Sequence, residues 1–303
     1  MLQQVKYAVI LLNYNTAYDS IIAAKSIVDN AGTNDYVICF VDNCSTRKGE
    51  VESLRKALIP NSYILELQRN EGYAKGNNEG VRFLRKKISF QYLVIMNPDV
   101  KILQEKTIDS LIEKLSKLDS LYCGIQPLIW SPVIGDDPTR QICIRRVCDY
   151  FDCIIDNFFL LKKIFKKKYS DFVYSNERPY VSSIDFEVPS GCFFIIKSSV
   201  YNKVGMFDER TFLYAEELIL GYKLKLFNYK FLLDPSFFVQ HEGGGATGVG
   251  AKTIKWVSTK ESVRSLSIYM RYYLRCNNFQ IWLVKSLSVL NYLIKKVFYF
   301  LKS

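Results

Sequence analysis

Apolar and polar residues follow each other along the first hundred positions in blocks that predict strands and helices in turn. Four short apolar runs are typical of buried strands and lie at residues 7–12, 36–41, 63–67 and 92–96. Apolar residues at helical spacing fill the intervals, which predicts helices at residues 17–30, 48–58 and 73–87. Strands that are apolar along their whole length and alternate with helices predict an α/β fold with a mostly parallel central sheet, flanked by helices.

The pattern changes near residue 130. Turn signals there lead into a basic and aromatic stretch at residues 157–169. Later runs predict strands at residues 186–188, 192–196 and 231–239 and a helix at residues 213–228.

Composition and charge narrow the class of protein. The 303 residues are 49% hydrophobic and 23% charged, which is ordinary for a globular chain, and the net charge is +11. That charge favours anionic partners such as nucleotide phosphates, an acidic membrane face or nucleic acid. The N-terminal run predicts a strand and not a signal peptide, and no stretch is apolar enough to predict a transmembrane helix.

The eight cysteines are scattered, with no CxxC pair. Cys143, Cys148 and Cys153 recur every five residues, which on a helix turns each about 140° from the last. They would not share a face, so a metal cluster is not expected there. We expect reduced thiols in a cytosolic protein.

Polar residues cluster where three of the predicted strands end. They lie at residues 13–15, 42–45 and 97–99. Ligands of parallel α/β sheets bind at the carboxyl ends of the strands, so these clusters are candidates for one binding site. Each cluster taken alone is also explained by ordinary turn chemistry.

Asn97-Pro98-Asp99 is the most specific of these clusters. Pro98 lacks a backbone donor, so the strand ends there, and Asn97 and Asp99 present two oxygen-bearing side chains to one side. Oxygen ligands and substrate phosphates suit a hard divalent cation. His241, the one histidine of the chain, precedes three glycines. It is a candidate second ligand or an ordinary polar residue.

Two further stretches have both a structural and a chemical interpretation. Residues 69–80 carry three glycines four apart among several asparagines, either as a loop opening a helix or as a surface that contacts sugar or phosphate. Glu216 and Glu217 either suit the start of a helix or supply a general base, since neighbouring carboxylates can raise each other's pKa.

Read in order, several stretches resemble family 2 glycosyltransferases of the GT-A fold, in particular the rhamnosyl- and galactofuranosyl-type enzymes of bacterial surface polysaccharide assembly. The stretches are VILLNYN, VDNCS, NEGYAKGNNEG, YLVIMNPDV, VPSGCFFIIKSSVYNKVGMFDERTFLYAEE and PSFFVQHEGGGATG. The resemblance implies a Rossmann-like GT-A domain over residues 1–250. It divides into a nucleotide-binding half, residues 1–128, and an acceptor half, residues 129–250.

The resemblance also implies roles for individual residues. Asp99 and His241 would bind Mg²⁺ or Mn²⁺, and Gly191 and Cys192 would lie on the acceptor side. Glu217 stands where the family has the Asp of a Glu-Asp pair and would be the catalytic base, with Glu216 as the alternative base. The contacts to the nucleotide sugar would come from Asn13, Asn15, Asp42, Asn43, Ser45, Asn70, Gly72, Gly76, Asn77 and Asn97.

The resemblance implies an inverting, metal-dependent transfer of a sugar from a nucleotide diphosphate donor to a glycan acceptor, which we expect to be lipid-linked. The candidate donors are TDP-rhamnose and a UDP-hexose. The family's further acid and arginine are replaced here by Ile219 and Lys223. Two alternatives stay open: a nucleotidyltransferase-type enzyme, or a non-catalytic, membrane-associated nucleotide-binding protein.

The C-terminal segment, residues 251–303, predicts a basic amphipathic helical extension. Ten Lys and Arg residues against Glu261 alone lie between residues 252 and 303. Between residues 281 and 301, lysines occupy one side of a helix and Trp282 and several leucines mostly the other. Such a helix suits an anionic membrane surface or packs on the domain. We expect a cytoplasmic protein held peripherally on the inner face of the cell membrane, with no nucleic acid partner.

Overall fold

A single mixed sheet of nine strands organises the molecule. The computed structural model describes residues 3–242 and 256–300, without the side chains of residues 299 and 300. The strands are β1 (Gln3–Asn13), β2 (Tyr36–Asp42), β3 (Ser62–Glu66), β4 (Ile88–Met96), β5 (Val100–Ile102), β6 (Tyr122–Trp130), β7 (Ile184–Phe186), β8 (Phe193–Lys197) and β9 (Lys230–His241).

Helices cover this sheet and extend beyond it. They are α1 (Ala17–Asn30), α2 (Glu50–Lys56), α3 (Gly72–Arg85), α4 (Thr107–Lys117), α5 (Tyr150–Asp156), α6 (Phe159–Ile164), α7 (Lys166–Phe172), α8 (Ser198–Lys203), α9 (Glu216–Leu226), α10 (Trp256–Tyr272) and α11 (Asn278–Phe300). Among the described residues, no helix is long and apolar enough to cross a membrane.

The strand order is β3-β2-β1-β4-β8-β6-β9-β5, and β7 pairs with β9. β1 is parallel to β2 and β4, and β2 is parallel to β3, whereas β8 runs antiparallel between β4 and β6. The register sets Asn13 opposite Asp42 and Leu11 opposite Met96. The polar residues that follow β1, β2 and β4 therefore meet at one edge of the sheet, as the sequence predicted, and the predicted α/β class is confirmed.

The observed strands differ from the predicted ones mainly in the second half of the chain. β6 was not predicted, and the strand predicted at residues 186–188 is found two residues earlier, as β7. Pro127 explains the first difference, because proline argues against a strand interior. The structure accommodates it at a register shift between Pro127 and Leu128 against β9.

The interior has two hydrophobic clusters. The larger one surrounds the sheet, where every residue of β2 is buried. The smaller one gathers residues from α5, α7, α9, α10 and α11, including Ile219, Tyr269 and Ile281. The second cluster joins the C-terminal helices α10 and α11 to α5, α7 and α9.

The apolar residues of α11 do not all lie on one side of the helix that packs on the domain. Ile281, Val284 and Ser288 form the packed face, while Trp282 is 59% exposed and Leu293 51% exposed. The helix therefore packs on the domain through one narrow face and leaves apolar residues on its surface. Lys302 and the glycines after His241 lie outside the described residues, so the expectations placed on them stay predictions.

The cysteine spacing was interpreted on a wrong assumption. Cys143 and Cys148 lie in irregular structure and only Cys153 is on α5, so helical rotation does not separate them. The sulfur atoms of Cys148 and Cys153 are 3.4 Å apart in the second hydrophobic cluster. Within the described ranges, no group of three or more His, Cys, Asp and Glu residues could hold a metal.

Candidate active site

Asn13 and Asp42 lock the ends of β1 and β2 together. The Asn13 amide donates to Asp42 Oδ1 at 2.8 Å and to Ser45 Oγ at 3.2 Å, and its oxygen accepts from Thr16 and Ser20. Ser45 donates to Asp42 Oδ1 at 2.6 Å. Asn13 is 0% exposed, so it shapes the pocket from within and has no surface to offer a nucleotide. The predicted contact of Asn13 with a nucleotide sugar stays a prediction.

Asn15 holds the loop after β2. It lies in the left-handed region, with φ 58°, and its side-chain oxygen accepts from the backbone N–H groups of Thr46 and Arg47, both at 2.8 Å. Asn15 and Ser45 are partly exposed at the edge of the sheet. Their predicted contacts with a nucleotide sugar stay predictions.

Asn43 ties the same edge to the loop before α3. Its amide donates to Asn70 Oδ1 at 3.0 Å and to the Gly72 carbonyl at 3.1 Å, and its oxygen accepts from the Glu71 N–H at 2.8 Å. All its polar atoms are used and the residue is buried. Asn43 is thus a positioning residue, whereas Asn70 is partly exposed beside it.

The glycines of residues 69–80 serve packing more than ligand binding. A Cβ on Gly76 would lie 2.6 Å from Leu12, and a Cβ on Gly72 would lie 2.3 Å from the Phe212 carbonyl oxygen. Asn77 is buried and donates to the Tyr73 carbonyl at 2.9 Å. Only glycine permits this close approach of α3 to its neighbours. The predicted contacts of Gly72, Gly76 and Asn77 with the donor stay predictions.

Asp99 and His241 meet where β4 ends and β9 ends. β5 pairs with β9 so that Val100 lies opposite His241, and Nε2 of His241 lies 3.4 Å from Oδ1 of Asp99. Asn97 donates its backbone N–H to the Cys192 carbonyl at 2.8 Å, which holds the turn in place. The structure thus brings together the two residues predicted as metal ligands, 142 positions apart in the chain.

These two residues fit a divalent cation. Two ligand atoms, each about 2.1 Å from a metal at adjacent octahedral positions, lie about 3 Å apart, close to the observed separation. One carboxylate and one imidazole leave room for phosphate oxygens and water to complete the coordination. The two residues would therefore need further ligands from outside the protein to complete the coordination of a cation.

The charge of His241 depends on its neighbours. Burial alone lowers the pKa of the imidazole, but hydrogen bonds to Asp99 and to the Cys192 thiol outweigh it and raise the pKa to about 10. The Asp99 carboxylate thus favours the protonated imidazole, and a divalent cation held by the two residues would compete with that proton.

Glu217 lies directly over Gly191. A Cβ placed on Gly191 would fall 1.6 Å from Glu217 Oε1, so the carboxylate occupies the space that any other residue at position 191 would fill. Glu217 is partly exposed and lines a cavity. Burial raises its pKa, and the positive charge of Arg145 partly opposes that rise. A carboxylate with a raised pKa at a cavity wall is suited to accept a proton.

Glu216 points into the interior instead. It is 2% exposed, and its Oε2 has no hydrogen-bond partner among the described residues. Burial and the neighbouring Glu217 raise its pKa well above the usual range. Because Glu216 does not line the cavity, the geometry favours Glu217 over Glu216 as the base.

Tyr73 lies between the Asp99–His241 pair and Glu217, and the sequence analysis did not predict a role for it. Its hydroxyl donates to the Gly191 carbonyl at 2.6 Å and lies 3.2 Å from Asn97 Oδ1. Gly191 contacts Glu217, and Cys192 contacts His241. Residues 191 and 192 therefore stand between the two chemical groups. A tyrosine at the start of a glycine-bearing helix gave no signal of this role.

Lys223 occupies the position of the family's arginine. Its ammonium donates to the carbonyls of Gly205 and Met206, and burial lowers its pKa to about 8. It fixes the loop before α9. Ile219 is fully buried in the second hydrophobic cluster, so the position of the family's further acid carries no charge here.

A cavity of about 350 Å³ adjoins Glu217 and Gly191. Its walls come from α5, α9, α10 and the segments around residues 142–148 and 188–191. Arg145 is part of this wall and was not predicted from the sequence, because its place depends on a bridge between distant segments. That bridge consists of two backbone hydrogen bonds, of 3.2 and 2.9 Å, between Arg145 and Val188.

The fold, a mostly parallel sheet flanked by helices with polar groups at one edge, is that of the GT-A glycosyltransferases. Residues 8–205 match the family Glycosyl transferase family 2, and the chain belongs to that family. The predicted class of enzyme, a glycosyltransferase, is thereby confirmed. Comparison with curated proteins gave no match.

Two solved structures illustrate the similarity of the fold. One is GalNAc-T7 with UDP, GalNAc and Mn²⁺, with a TM-score of 0.60 and 16% identity over 89% of this chain and 49% of that one. The other is the mannosyltransferase PcManGT from Pyrobaculum calidifontis with GDP-Man and Mn²⁺, with a TM-score of 0.56 and 12% identity over 97% and 74%. The chain thus spans about half the length of the GalNAc-T7 chain.

Proposed function

We propose that this glycosyltransferase is an inverting, metal-dependent enzyme that transfers a sugar from a nucleotide diphosphate to a glycan hydroxyl. One observation carries the proposal. The adjacent residues Gly191 and Cys192 contact Glu217 on one side and His241 on the other, so a base and a cation-binding pair face each other across two residues. A single displacement needs this pairing of a proton acceptor with a site for the leaving diphosphate.

On the donor side, Asp99 and His241 would hold a divalent cation, which neutralises the charge that develops on the leaving diphosphate. Asn97 and Tyr73 keep the turn before Asp99 rigid through their contacts with residues 191 and 192. Rigid placement of the ligands lowers the cost of reorganisation during the reaction.

On the acceptor side, Glu217 takes the proton from the attacking hydroxyl. The hydroxyl oxygen then forms a bond to the anomeric carbon as the bond to the diphosphate oxygen breaks on the opposite face. The configuration inverts in one step, and no covalent intermediate on the enzyme is needed. The raised pKa of Glu217 improves its match to this task near neutral pH.

The donor and acceptor are proposed from the family resemblance. TDP-rhamnose or a UDP-hexose is the donor, and the acceptor is a lipid-linked glycan of bacterial polysaccharide (O-antigen or capsule) synthesis. Two similar structures hold UDP with Mn²⁺ and GDP-Man with Mn²⁺, which supports a nucleotide sugar and a divalent cation in this chain too.

The test is donor turnover with the full chain. The protein is incubated with Mg²⁺ or Mn²⁺ and a panel of nucleotide sugars, and slow release of the nucleotide diphosphate is measured. Release from one donor that is lost on adding EDTA and in Asp99→Ala supports the proposal. Asp136→Ala, a change at an exposed carboxylate far along the chain, is the matched control and should retain release. Donor binding without any sugar release would favour the non-catalytic alternative, and transfer of a nucleotidyl group would favour the nucleotidyltransferase.

We propose further that the enzyme lies peripherally on an anionic membrane surface on the cytoplasmic side. Phe279, Trp282, Leu290, Leu293 and Val297 of α11 are exposed and fall within an arc of about 80°. Leu160 and Ile164 on α6 are also exposed, and the Phe159 N–H at the start of α6 donates to Asn291 of α11 at 3.3 Å. These residues form an apolar surface, here called the α6–α11 surface.

Lysines accompany the α6–α11 surface. Lys163, Lys166 and Lys167 are exposed on or beside α6, and Lys285 and Lys296 are exposed on α11. Apolar residues with neighbouring lysines match an interface of acyl chains and anionic headgroups. This combination supports a membrane in preference to nucleic acid, because the apolar residues have no role against a phosphate backbone alone.

Vesicle sedimentation tests the membrane proposal. Binding should be strong to vesicles with phosphatidylglycerol, weak to phosphatidylcholine alone, and reduced by salt. The double change Trp282→Ser with Leu293→Ser should weaken binding at least tenfold, whereas Val133→Ser, at an exposed apolar residue elsewhere, should not. Equal binding by both variants would refute the role of the α6–α11 surface.

A further inference from the structure

The cavity beside Glu217 is larger than a single hydroxyl group requires. Its volume of about 350 Å³ is near the lower end of the range for small-molecule sites, about 300–1,000 Å³. It therefore has room for one sugar unit with an attached group and not for a long oligosaccharide. Here it is called the acceptor cavity, and this inference rests on the proposed function.

The charges around the acceptor cavity do not cancel. Asp156 is paired with Lys162, with a nitrogen–oxygen distance of 2.6 Å. Glu187, just before the wall, is paired with Lys225 at 2.8 Å. Both of these carboxylates are thus paired with lysines, so the positive charge on the cavity wall exceeds the negative charge of Glu217 alone.

Two adjacent arginines supply that positive charge, and they differ in how they are held. The Arg146 guanidinium donates to the Asp171 carbonyl at 3.1 Å and lies 4.4 Å from the centre of the Tyr174 ring. The Arg145 side chain has no hydrogen bond or ion pair within residues 3–242 and 256–300. It is exposed, it lines the cavity, and it is near enough to Glu217 to influence that carboxylate.

The backbone of Arg145 is fixed even though its guanidinium is not. Its two hydrogen bonds with Val188 set it in register with Pro189, Ser190 and Gly191, the segment beneath Glu217. A rigid backbone with an uncommitted guanidinium is the arrangement of a binding group, because arginine presents a planar fork that suits phosphate oxygens.

We infer that Arg145 binds a phosphate group of the acceptor, next to the sugar whose hydroxyl reaches Glu217. The acceptor is therefore a glycosyl phosphate or diphosphate, in which the first sugar attached to the phosphate receives the new sugar.

The far wall of the cavity supports the same class of acceptor. Asn157 lines the cavity, and its side-chain oxygen accepts from Ser288 of α11 at 2.9 Å. The helix that carries the α6–α11 surface thus supports the cavity wall through its inner face. A sugar at Glu217, a phosphate at Arg145 and a lipid chain toward α11 would follow one continuous course.

Binding to two matched series of probes tests the inference. Each series carries the same set of monosaccharides on an octyl chain, one with a diphosphate between sugar and chain and one without. Calorimetry with the full chain, in the presence of Mn²⁺ and the nucleotide diphosphate that binds, measures the Kd of each probe. The wild type should bind a glycosyl diphosphate at least tenfold more tightly than its neutral counterpart. Arg145→Gln should reduce that preference below threefold without changing the Kd of the nucleotide.

Arg140→Gln is the matched control, because Arg140 is exposed, pairs with Asp137 and lies outside the cavity wall. It should keep the full preference for the diphosphate series. Equal binding of both series, a preference that survives Arg145→Gln, or no binding of either series would each overturn the inference. Failure of the proposed function is a separate result, since it would appear as no binding or turnover of any nucleotide sugar in the wild type.

Discussion

The donor side and the acceptor side of the site satisfy their polar groups in opposite ways. On the donor side, Asn13, Asp42 and Asn43 are buried and bonded to one another's loops. On the acceptor side, Glu216 has a buried oxygen without a partner in the described part of the chain, and Arg145 lines the cavity. The donor side therefore satisfies its polar groups within the protein, whereas the acceptor side leaves some of them without a protein partner among the described residues.

This difference separates groups that stabilise the fold from groups that are suited to the reaction. Buried amides with full hydrogen bonding stabilise loops, and their loss costs about 1–3 kcal/mol for each group left unsatisfied. Carboxyl groups with raised pKa values instead destabilise the fold and serve proton transfer. We therefore expect changes at the buried donor-side amides to affect stability, and changes at Glu217 and the adjoining Gly191 to affect turnover.

The largest expected effect is that of Glu217→Gln. The amide cannot accept the proton, so kcat for transfer should fall about 10²–10⁴-fold, while the Kd of the donor nucleotide stays within about twofold. Steady-state kinetics and calorimetry measure the two quantities. Glu113→Gln, a surface change on α4, is the control. Normal transfer by Glu217→Gln would show that Glu217 is not the base and would return Glu216 to consideration.

Gly191→Ala should come next, with a loss of about 10–100-fold in kcat. The added Cβ would displace the Glu217 carboxylate, and a shift of about 1 Å in a reacting group can cost that much. The metal pair is anchored through the backbone of Asn97 and residue 192, so cation binding and the midpoint of thermal unfolding should change little. If the variant unfolds at a much lower temperature instead, Gly191 is needed for stability, and the expectation that it affects turnover alone is wrong.

Asn43→Ala should act on the donor side through stability. It removes three hydrogen bonds that join β2 to the loop before α3, and we expect a decrease of about 1–3 kcal/mol in the free energy of unfolding. Urea unfolding measures it, with Asn176→Ala at an exposed asparagine as the control. A stable variant with impaired kcat alone would contradict the division between the two sides.

Glu216→Gln should have the smallest effect, and it depends on pH. Burial raises the pKa of Glu216, so the folded state keeps a proton that the unfolded chain releases above pH about 4.5. The free energy of unfolding of the wild type should therefore fall as pH rises above about 4.5. The variant, which has no proton to lose at this position, should show a shallower decline in urea unfolding over the same range. Parallel pH dependences for the two proteins would mean that Glu216 is ionised in the folded state.

The first half of the fold was predictable because its strands are buried on both faces. Such strands are continuous apolar runs, and helical spacing between them leaves few other arrangements. β6 was missed because Gly124, Gln126 and Pro127 interrupt its apolar pattern. Its pairing with β9 across a register shift accommodates the proline, and that partner lies more than a hundred residues away.

The residues of the candidate site also fall into those that the sequence could suggest and those that it could not. Residue type, position and the family resemblance selected Asp99, His241 and Glu217 as candidates, because carboxylates and imidazoles near strand ends have a recognisable chemistry. Sequence alone could not tell that Asn13 and Gly76 are turned inward while Asn15 stays partly exposed. Whether an amide faces a ligand or a neighbouring loop depends on partners about 30 residues away.

The sequence by itself determined the family, the parallel strands and the kinds of chemical group at their ends, because those follow from local patterns and ordered motifs. Only the tertiary structure decided which of the two glutamates reaches the cavity, why position 191 has no side chain, and where Arg145 lies. The physical reason is that each of these depends on contacts between segments far apart in the chain. A backbone bridge from Arg145 to Val188, or a carboxylate resting on a distant glycine, exists only once the sheet and helices have packed.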